Sequence, residues 1–496
     1  MSKKIMFLGT GSSVGKSLLT AAFCRVLSDK GLKVAPFKSQ NMSLNSYITA
    51  DGKEMGRAQV TQSECARIEP RAEMNPVLLK PNSDTGSQVI LNGVPEFNMD
   101  AREFHAYKAQ LKEVVVKAFQ DLEKEFDYII MEGAGSPAEI NLRENDLVNM
   151  GMAEMVDSPV ILIGDIDKGG VFASLYGTVK LLEPEEQARI KGFIINKFRG
   201  DVTLLEPGID TIVEKLGIPC LGVMPYTRLV IDDEDSVTDR WTEKPEGAIT
   251  VGVVRLRHIS NFTDCTVFDM YPDISVEYYE NQRQMAHANP DLLVIPGSKN
   301  TIDDVKVLRD SKMEGEILRL HKSGVPIVGI CGGYQILGNT IEDPAGVESN
   351  LKEIEGLGLL DIQTVLGDEK VTMRRAGEIL HDVMGIDTAS VAVEGYEIHM
   401  GTTTLGEKAK PFSRLEDGRE DGAISEDGNV MGTYLHGIFD NDIFREKLIR
   451  HIREKKNLED NTVFDYKAFK ESQYDQLAQA FVAHIDVDTL IQMMEG

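Results

Sequence analysis

Residues Gly9-Thr10-Gly11-Ser12-Ser13-Val14-Gly15-Lys16-Ser17 constrain this chain more than any other stretch. The apolar run Lys4–Leu8 leads into them and an amphipathic stretch, Ser17–Lys30, follows. Strand, glycine-rich turn, Gly-Lys-Ser and helix is the context that a nucleotide phosphate loop requires. Backbone N–H groups and the helix start face the phosphates there, so the loop commits its surroundings to a parallel α/β sheet. Thr10, Gly11, Gly15, Lys16 and Ser17 are the expected ATP contacts, with Lys16 reaching the β/γ-phosphates and Ser17 offering its hydroxyl to Mg²⁺. The loop departs from the usual pattern at Thr10, where a glycine is customary; Gly9 and Gly11 flank it instead.

Further apolar runs agree with a sheet of that kind. Lys33–Phe37, Tyr128–Met131, Val160–Gly164 and Gly192–Asn196 read as short buried strands, and Ala101–Glu125 as a helix between them. Ligands of such sheets bind where strands end. Glu132 ends one strand before Gly133-Ala134-Gly135 and is the expected second metal ligand; Asn196 ends another and is expected to read the adenine base. Asp165 and Asp167 fit either a substrate or metal contact or an Asx turn.

At 496 residues the chain exceeds one compact core, and the pattern restarts after an acidic connection. The expected division is a synthetase domain over 1–231, a linker over 232–248, a second α/β domain over 249–445 and a helical extension over 446–496. Thr250–Leu256, Leu292–Pro296 and Pro326–Ile330 read as strands of the second domain. The last runs into Gly329-Ile330-Cys331-Gly332-Gly333, a cysteine version of the strand–nucleophile–helix elbow. Its glycines permit a tight turn, and a following helix start favours the thiolate. The amide of Gly332 is an expected oxyanion donor, with Gly297 in Pro296-Gly297-Ser298-Lys299 as the second. His436, before Gly437 and late in the same domain, is the expected base; His399 is the competitor.

The formal charge of −27 argues against a nucleic-acid surface and against adhesion to anionic membranes. Five cysteines with no CxxC pair fit a reduced, cytoplasmic protein, and four of them default to structural roles. Met1–Leu8 reads as a first strand rather than a leader. Nothing in the sequence fixes an oligomeric state, so a homo-oligomer stays open.

The phosphate loop resembles that of dethiobiotin synthetase and its relatives, which phosphorylate a carboxylate. The segments around Cys331 and His436 resemble class I glutamine amidotransferases, most of which carry His-x-Glu. Here that Glu is replaced by Ile438, which leaves the third member absent or supplied from elsewhere, with Glu397 as a weak candidate. The whole chain resembles the cobalamin-pathway amidotransferase family, most specifically in Phe37–Ser46, Gly56–Gln59, Met74–Pro81, Asp165–Phe172, Asn196–Gly200 and Gly395–Gly401. Ser39-Gln40-Asn41, in place of Lys-Gly-Pro-Asp, favours the branch acting on the a,c-diamide over the branch that makes it. The resemblance implies two doubly wound domains, P-loop synthetase then glutaminase. It also implies ATP, Mg²⁺, glutamine and a corrinoid as small-molecule partners. The implied reaction is amidation of the b, d, e and g carboxylates of adenosylcobyrinic acid a,c-diamide. Gln40, Asn41, Asn45 and Arg57 are the implied substrate contacts. A cell-wall-precursor amide ligase and a partitioning-type ATPase are the competing readings. The latter has no use for Cys331 or His436 and usually carries a lysine where this loop has Gly11.

Overall fold

The computed structural model describes residues 2–81, 86–232, 247–459 and 464–495. Most of the acidic connection, including Asp233, Asp235 and Pro245, lies outside the described residues. The contacts divide the chain into two units: 1–43 with 53–234 and 470–496, and 44–52 with 235–469.

The first unit is built on six parallel strands, in the order Cys220–Pro225, Ile190–Phe198, Val160–Asp165, Lys3–Gly9, Tyr128–Glu132, Val34–Phe37. Strand Lys3–Gly9 lies inside the sheet and is buried from Ile5 to Leu8. A strand buried on both faces needs apolar residues on both, which explains the unbroken apolar run. Helix Lys16–Asp29 follows, begun by Gly15 at φ 97°. A side chain at Gly15 would be strained there and would also run into the Asn196 amide. A four-stranded sheet (Gln40–Met42, Val77–Pro81, Gly86–Leu91, Val94–Asp100) leads to helix Ala101–Glu123, whose capping box pairs Asp100 with Glu103.

The extension expected over 446–496 divides between the units. Helix Asp442–Lys455 belongs to the second unit, whereas most of Tyr466–His484 and all of Val487–Glu495 pack in the first. Phe481 stacks on Phe23 with centroids 5.8 Å apart, and Leu477 and Leu490 are fully buried in the same core. Arg25, 1% exposed, is held by Glu471 at 2.6 Å and Asp475 at 2.7 Å.

The second unit has five parallel strands in the order Ile274–Tyr279, Ile249–Val254, Leu292–Ile295, Ile327–Ile330, Val430–Thr433, with Ala423–Ile424 antiparallel at the edge. A long antiparallel hairpin, Ile362–Ile379 with Ala392–Leu405, forms a separate mixed sheet with shorter strands, one of which, Thr340–Glu342, runs parallel to Ile362–Ile379. Residues 44–52 belong to this unit although both flanks belong to the other.

Candidate functional site

In the first unit the phosphate loop joins strand Lys3–Gly9 to its helix at an interior strand end. Lys16 is buried, and its ammonium donates to the carbonyls of Gly11 at 2.9 Å and Gly135 at 3.3 Å. Ser17 Oγ donates to Glu132 Oε1 at 2.8 Å, so the hydroxyl and the carboxylate meet. Glu132 is 1% exposed and accepts two further bonds: from Lys38 Nζ at 2.8 Å and Gln62 Nε2 at 2.6 Å. A carboxylate this deeply buried needs such partners. Neither Lys38 nor Gln62 was singled out from sequence; Lys38 follows the apolar strand Val34–Phe37, the same strand-end signal that marked Glu132.

Asn196 Nδ2 donates to the Val14 carbonyl at 2.8 Å, so its amide braces the loop. Lys197 does likewise at Ser13, 2.7 Å, and pairs with Asp165 at 3.0 Å. Asp165 also accepts the Asp167 amide at 2.8 Å, an Asx-type turn. Three of the four implied substrate contacts are buried. Asn41 is buried and donates to Gln59 Oε1 at 3.1 Å. Arg57 is buried against Asp232 at 2.6 Å. Gln40 is partly exposed, and Asn45, fully buried, belongs to the second unit.

In the second unit, strands Ile327–Ile330 and Val430–Thr433 are parallel neighbours with Ile330 opposite Thr433. Cys331 and His436 therefore leave the same end of one sheet. Cys331 sits at φ 53°, ψ −111°, a conformation that costs a non-glycine residue about 1–3 kcal/mol. Its neighbours are tightly fitted: a Cβ on Gly333 would meet the Ile295 carbonyl oxygen. Gly332 lies against the Ser298 backbone, and a Cβ on Gly297 would come within 3.2 Å of His436 Cε1, so both expected oxyanion glycines border the thiol–imidazole pair.

His436 is fully buried. Its Nδ1 lies 2.7 Å from Asp264 Oδ2, while Asp264 Oδ1 accepts the Gly437 amide at 2.8 Å. Burial by itself would lower the imidazole pKa, but the Asp264 carboxylate and the neighbouring Cys331 raise it to about 10. Asp264 thus stands where the orienting acid of a nucleophile–base–acid triad belongs. Sequence spacing did not find it, because it precedes Cys331 by 67 positions and His-x-Glu patterns direct attention downstream. Its setting, Asn261-Phe262-Thr263-Asp264 before an apolar run, is the available signal. Glu397 is engaged elsewhere, by Arg375 at 2.8 Å and Arg419 at 3.2 Å; these cations and the His399 ring carry its pKa down to about 2 against the opposing effect of burial. His399 stacks on Tyr434 with centroids 3.7 Å apart and pairs with neither Cys331 nor Asp264.

Residues 5–237 match the family described as the CobQ/CobB/MinD/ParA nucleotide binding domain, and residues 250–444 match the CobB/CobQ-like glutamine amidotransferase domain. Cobyric acid synthase of Alkaliphilus metalliredigens is 50% identical over 99% of this chain and 100% of its own. The chain belongs to the cobyric acid synthase family. Cobyric acid synthases of Clostridium botulinum (99% of each chain) and Clostridium acetobutylicum (99% of this chain, 98% of its own) are also 50% identical. As in the cobyric acid synthase relatives, the match runs through both units, so the phosphate-loop half and the cysteine half belong to one enzyme.

Proposed function

We propose that this chain amidates the b, d, e and g carboxylates of adenosylcobyrinic acid a,c-diamide, using ATP and ammonia drawn from glutamine. The reading rests on one observation above others: the end-to-end match at 50% identity to proteins named cobyric acid synthase. That match supports an enzyme of cobalamin biosynthesis; a cytoplasmic location and domains over 1–231 and 249–445 are part of the proposal. Among the described residues no helix is long and apolar enough to cross a membrane.

In the first unit a substrate carboxylate attacks the γ-phosphorus of ATP, giving an acyl phosphate and ADP. Lys16 and the amides of Thr10, Gly11 and Gly15 stabilise charge on the transferred group. Ser17 and Glu132, two oxygen donors 2.8 Å apart, suit a hard cation and would hold Mg²⁺. When bound, that ion neutralises phosphate charge. Lys38 supplies a fixed positive charge to the same carboxylate oxygen. Asn196 joins the ATP site through its hold on the loop.

In the second unit the Cys331 thiolate attacks the glutamine amide carbon. The tetrahedral oxygen takes the amides of Gly332 and Gly297. His436, protonated at neutral pH and aimed by Asp264, gives its proton to the departing ammonia. Water then cleaves the glutamyl thioester, with neutral His436 as base, and glutamate leaves. Ammonia displaces phosphate from the acyl phosphate to complete the amide. Gln40, Asn41, Asn45 and Arg57 stay assigned to corrinoid recognition by family resemblance.

Corrin mass tests this reading. Wild-type protein with the a,c-diamide, ATP, Mg²⁺ and glutamine is expected to lower corrin mass by about four units, roughly one per amidation. Cys331→Ala is expected to do so only with ammonium salts. Unchanged mass with every nitrogen donor, in folded protein that turns over ATP, overturns the corrinoid assignment.

A further inference from the structure

Residues Leu44–Gly52 bear directly on the surroundings of His436. The Ser46 N–H donates to Asn261 Oδ1 at 2.9 Å, and the Tyr396 hydroxyl donates to the Ser46 carbonyl at 3.2 Å. Both partners flank the imidazole. Asn261 Nδ2 lies 3.4 Å from His436 Nε2, and the Tyr396 ring stacks on the His436 ring, centroids 5.2 Å apart and planes 20° from parallel. The strap is anchored along its length. Ile48 is fully buried with Tyr396 and Ile398. Arg374 Nε donates to the Ile48 carbonyl at 2.9 Å, and Thr372 Oγ1 donates to the Gly52 carbonyl at 3.1 Å. Tyr47 meets the Tyr396 ring edge-on at 5.3 Å.

The contact at Asn261 has a chemical consequence. An amide has one accepting end and one donating end. Ser46 N–H occupies the accepting end, so Asn261 turns its NH₂ toward His436 Nε2. An NH₂ group cannot accept the Nε2 proton of an imidazolium. Asn261 therefore makes no claim on the proton that His436 must deliver to departing ammonia. With the strap withdrawn, Asn261 is free to rotate, and its oxygen would then accept from Nε2–H and hold the proton back.

We propose that Leu44–Gly52 is a positioning strap for the glutaminase base, which keeps the His436 Nε2 proton transferable by fixing the orientation of Asn261. It rests on the glutaminase reading of Cys331 and His436 given above. The strap continues the chain directly from Gln40–Met42, in the stretch assigned to corrinoid recognition, and returns to the other unit at Lys53.

Steady-state glutamine hydrolysis, read as glutamate formed, tests this in full-length protein. Ser46→Pro removes the donating N–H; Tyr396→Phe removes only the hydroxyl and keeps the ring on His436. Each is expected to lower glutaminase kcat by about fivefold, the weight of one neutral hydrogen bond. KM for glutamine should stay within about twofold, since the change holds the proton on His436 and removes no contact to glutamine. The pH profile of kcat should move to higher pH as His436 retains its proton. In an Asn261→Ala background, which has no amide to turn, Ser46→Pro should change kcat no further. Unchanged kcat in both variants, a change confined to KM, or full additivity with Asn261→Ala overturns the strap. Equal slowing of ammonium-driven amidation also overturns it, since that reaction bypasses His436. Loss of glutamine hydrolysis in the wild-type protein itself would instead overturn the glutaminase reading. Should Ser46→Pro fail to fold, Tyr396→Phe alone carries the test.

Discussion

At the scale of single residues, the proposed glutaminase site turns on Asp264, which holds His436. Its carboxylate and the Cys331 side chain hold the His436 pKa near 10, against the lowering effect of burial and an ordinary value of 6.5. A raised pKa stabilises the fold fully below pH 6.5, and the contribution fades as pH rises through about 10. Unfolding free energy measured by denaturant titration should therefore decline across that window in wild type, and the decline should be much smaller in Asp264→Asn. The same variant should lose about 100-fold or more in glutaminase kcat, as general acid–base catalysis loses its aimed imidazole. Ammonium-driven amidation should persist. In the other unit, Lys16→Ala should lower ATP-dependent amidation by at least about 100-fold with either nitrogen source, read as ADP release. The proposed roles of Glu132 and Cys331 have a strand-end signal before glycine, those of Lys16 and Ser17 the helix start after the glycine loop, and that of His436 its place just past strand Val430–Thr433 before Gly437. Asp264 has no strand-end signal, since its contact with His436 arises only when distant segments meet.

At the scale of elements, the parallel strands were the most readable part. Interior strands must be apolar on both faces, so Ile5–Leu8, Ile129–Met131 and Ile161–Ile163 appear as unbroken runs. The hairpin Ile362–Ile379 with Ala392–Leu405 has no such run, because paired charges, Glu369-Lys370 and Arg374-Arg375, interrupt its first strand. The segment Leu44–Gly52 gave no signal of its docking, since it engages mostly through backbone groups that any sequence carries. The elbow around Cys331 tolerates little change. Gly333→Ala should cost about 1–3 kcal/mol by forcing a methyl against the Ile295 carbonyl, measurable as a shift in the denaturation midpoint.

At the scale of the whole molecule, the two units are assembled differently from one chain. The second draws nearly all its contacts from 235–469, while the first combines the beginning of the chain with residues 470–496. Phe481→Ala should therefore destabilise the first unit by about 3–5 kcal/mol and lower the ATP-dependent half-reaction before glutamine hydrolysis, as thermal inactivation of the two activities would reveal. On the ribosome this arrangement sets an order of completion. Phe23 waits for Phe481, which lies far later in the chain, beyond every residue of the second unit. Translation proceeds at about 5–20 residues per second, so an apolar surface stays uncovered for tens of seconds while the glutaminase behind it has already closed. The nascent ligase half is the part that calls for chaperone protection.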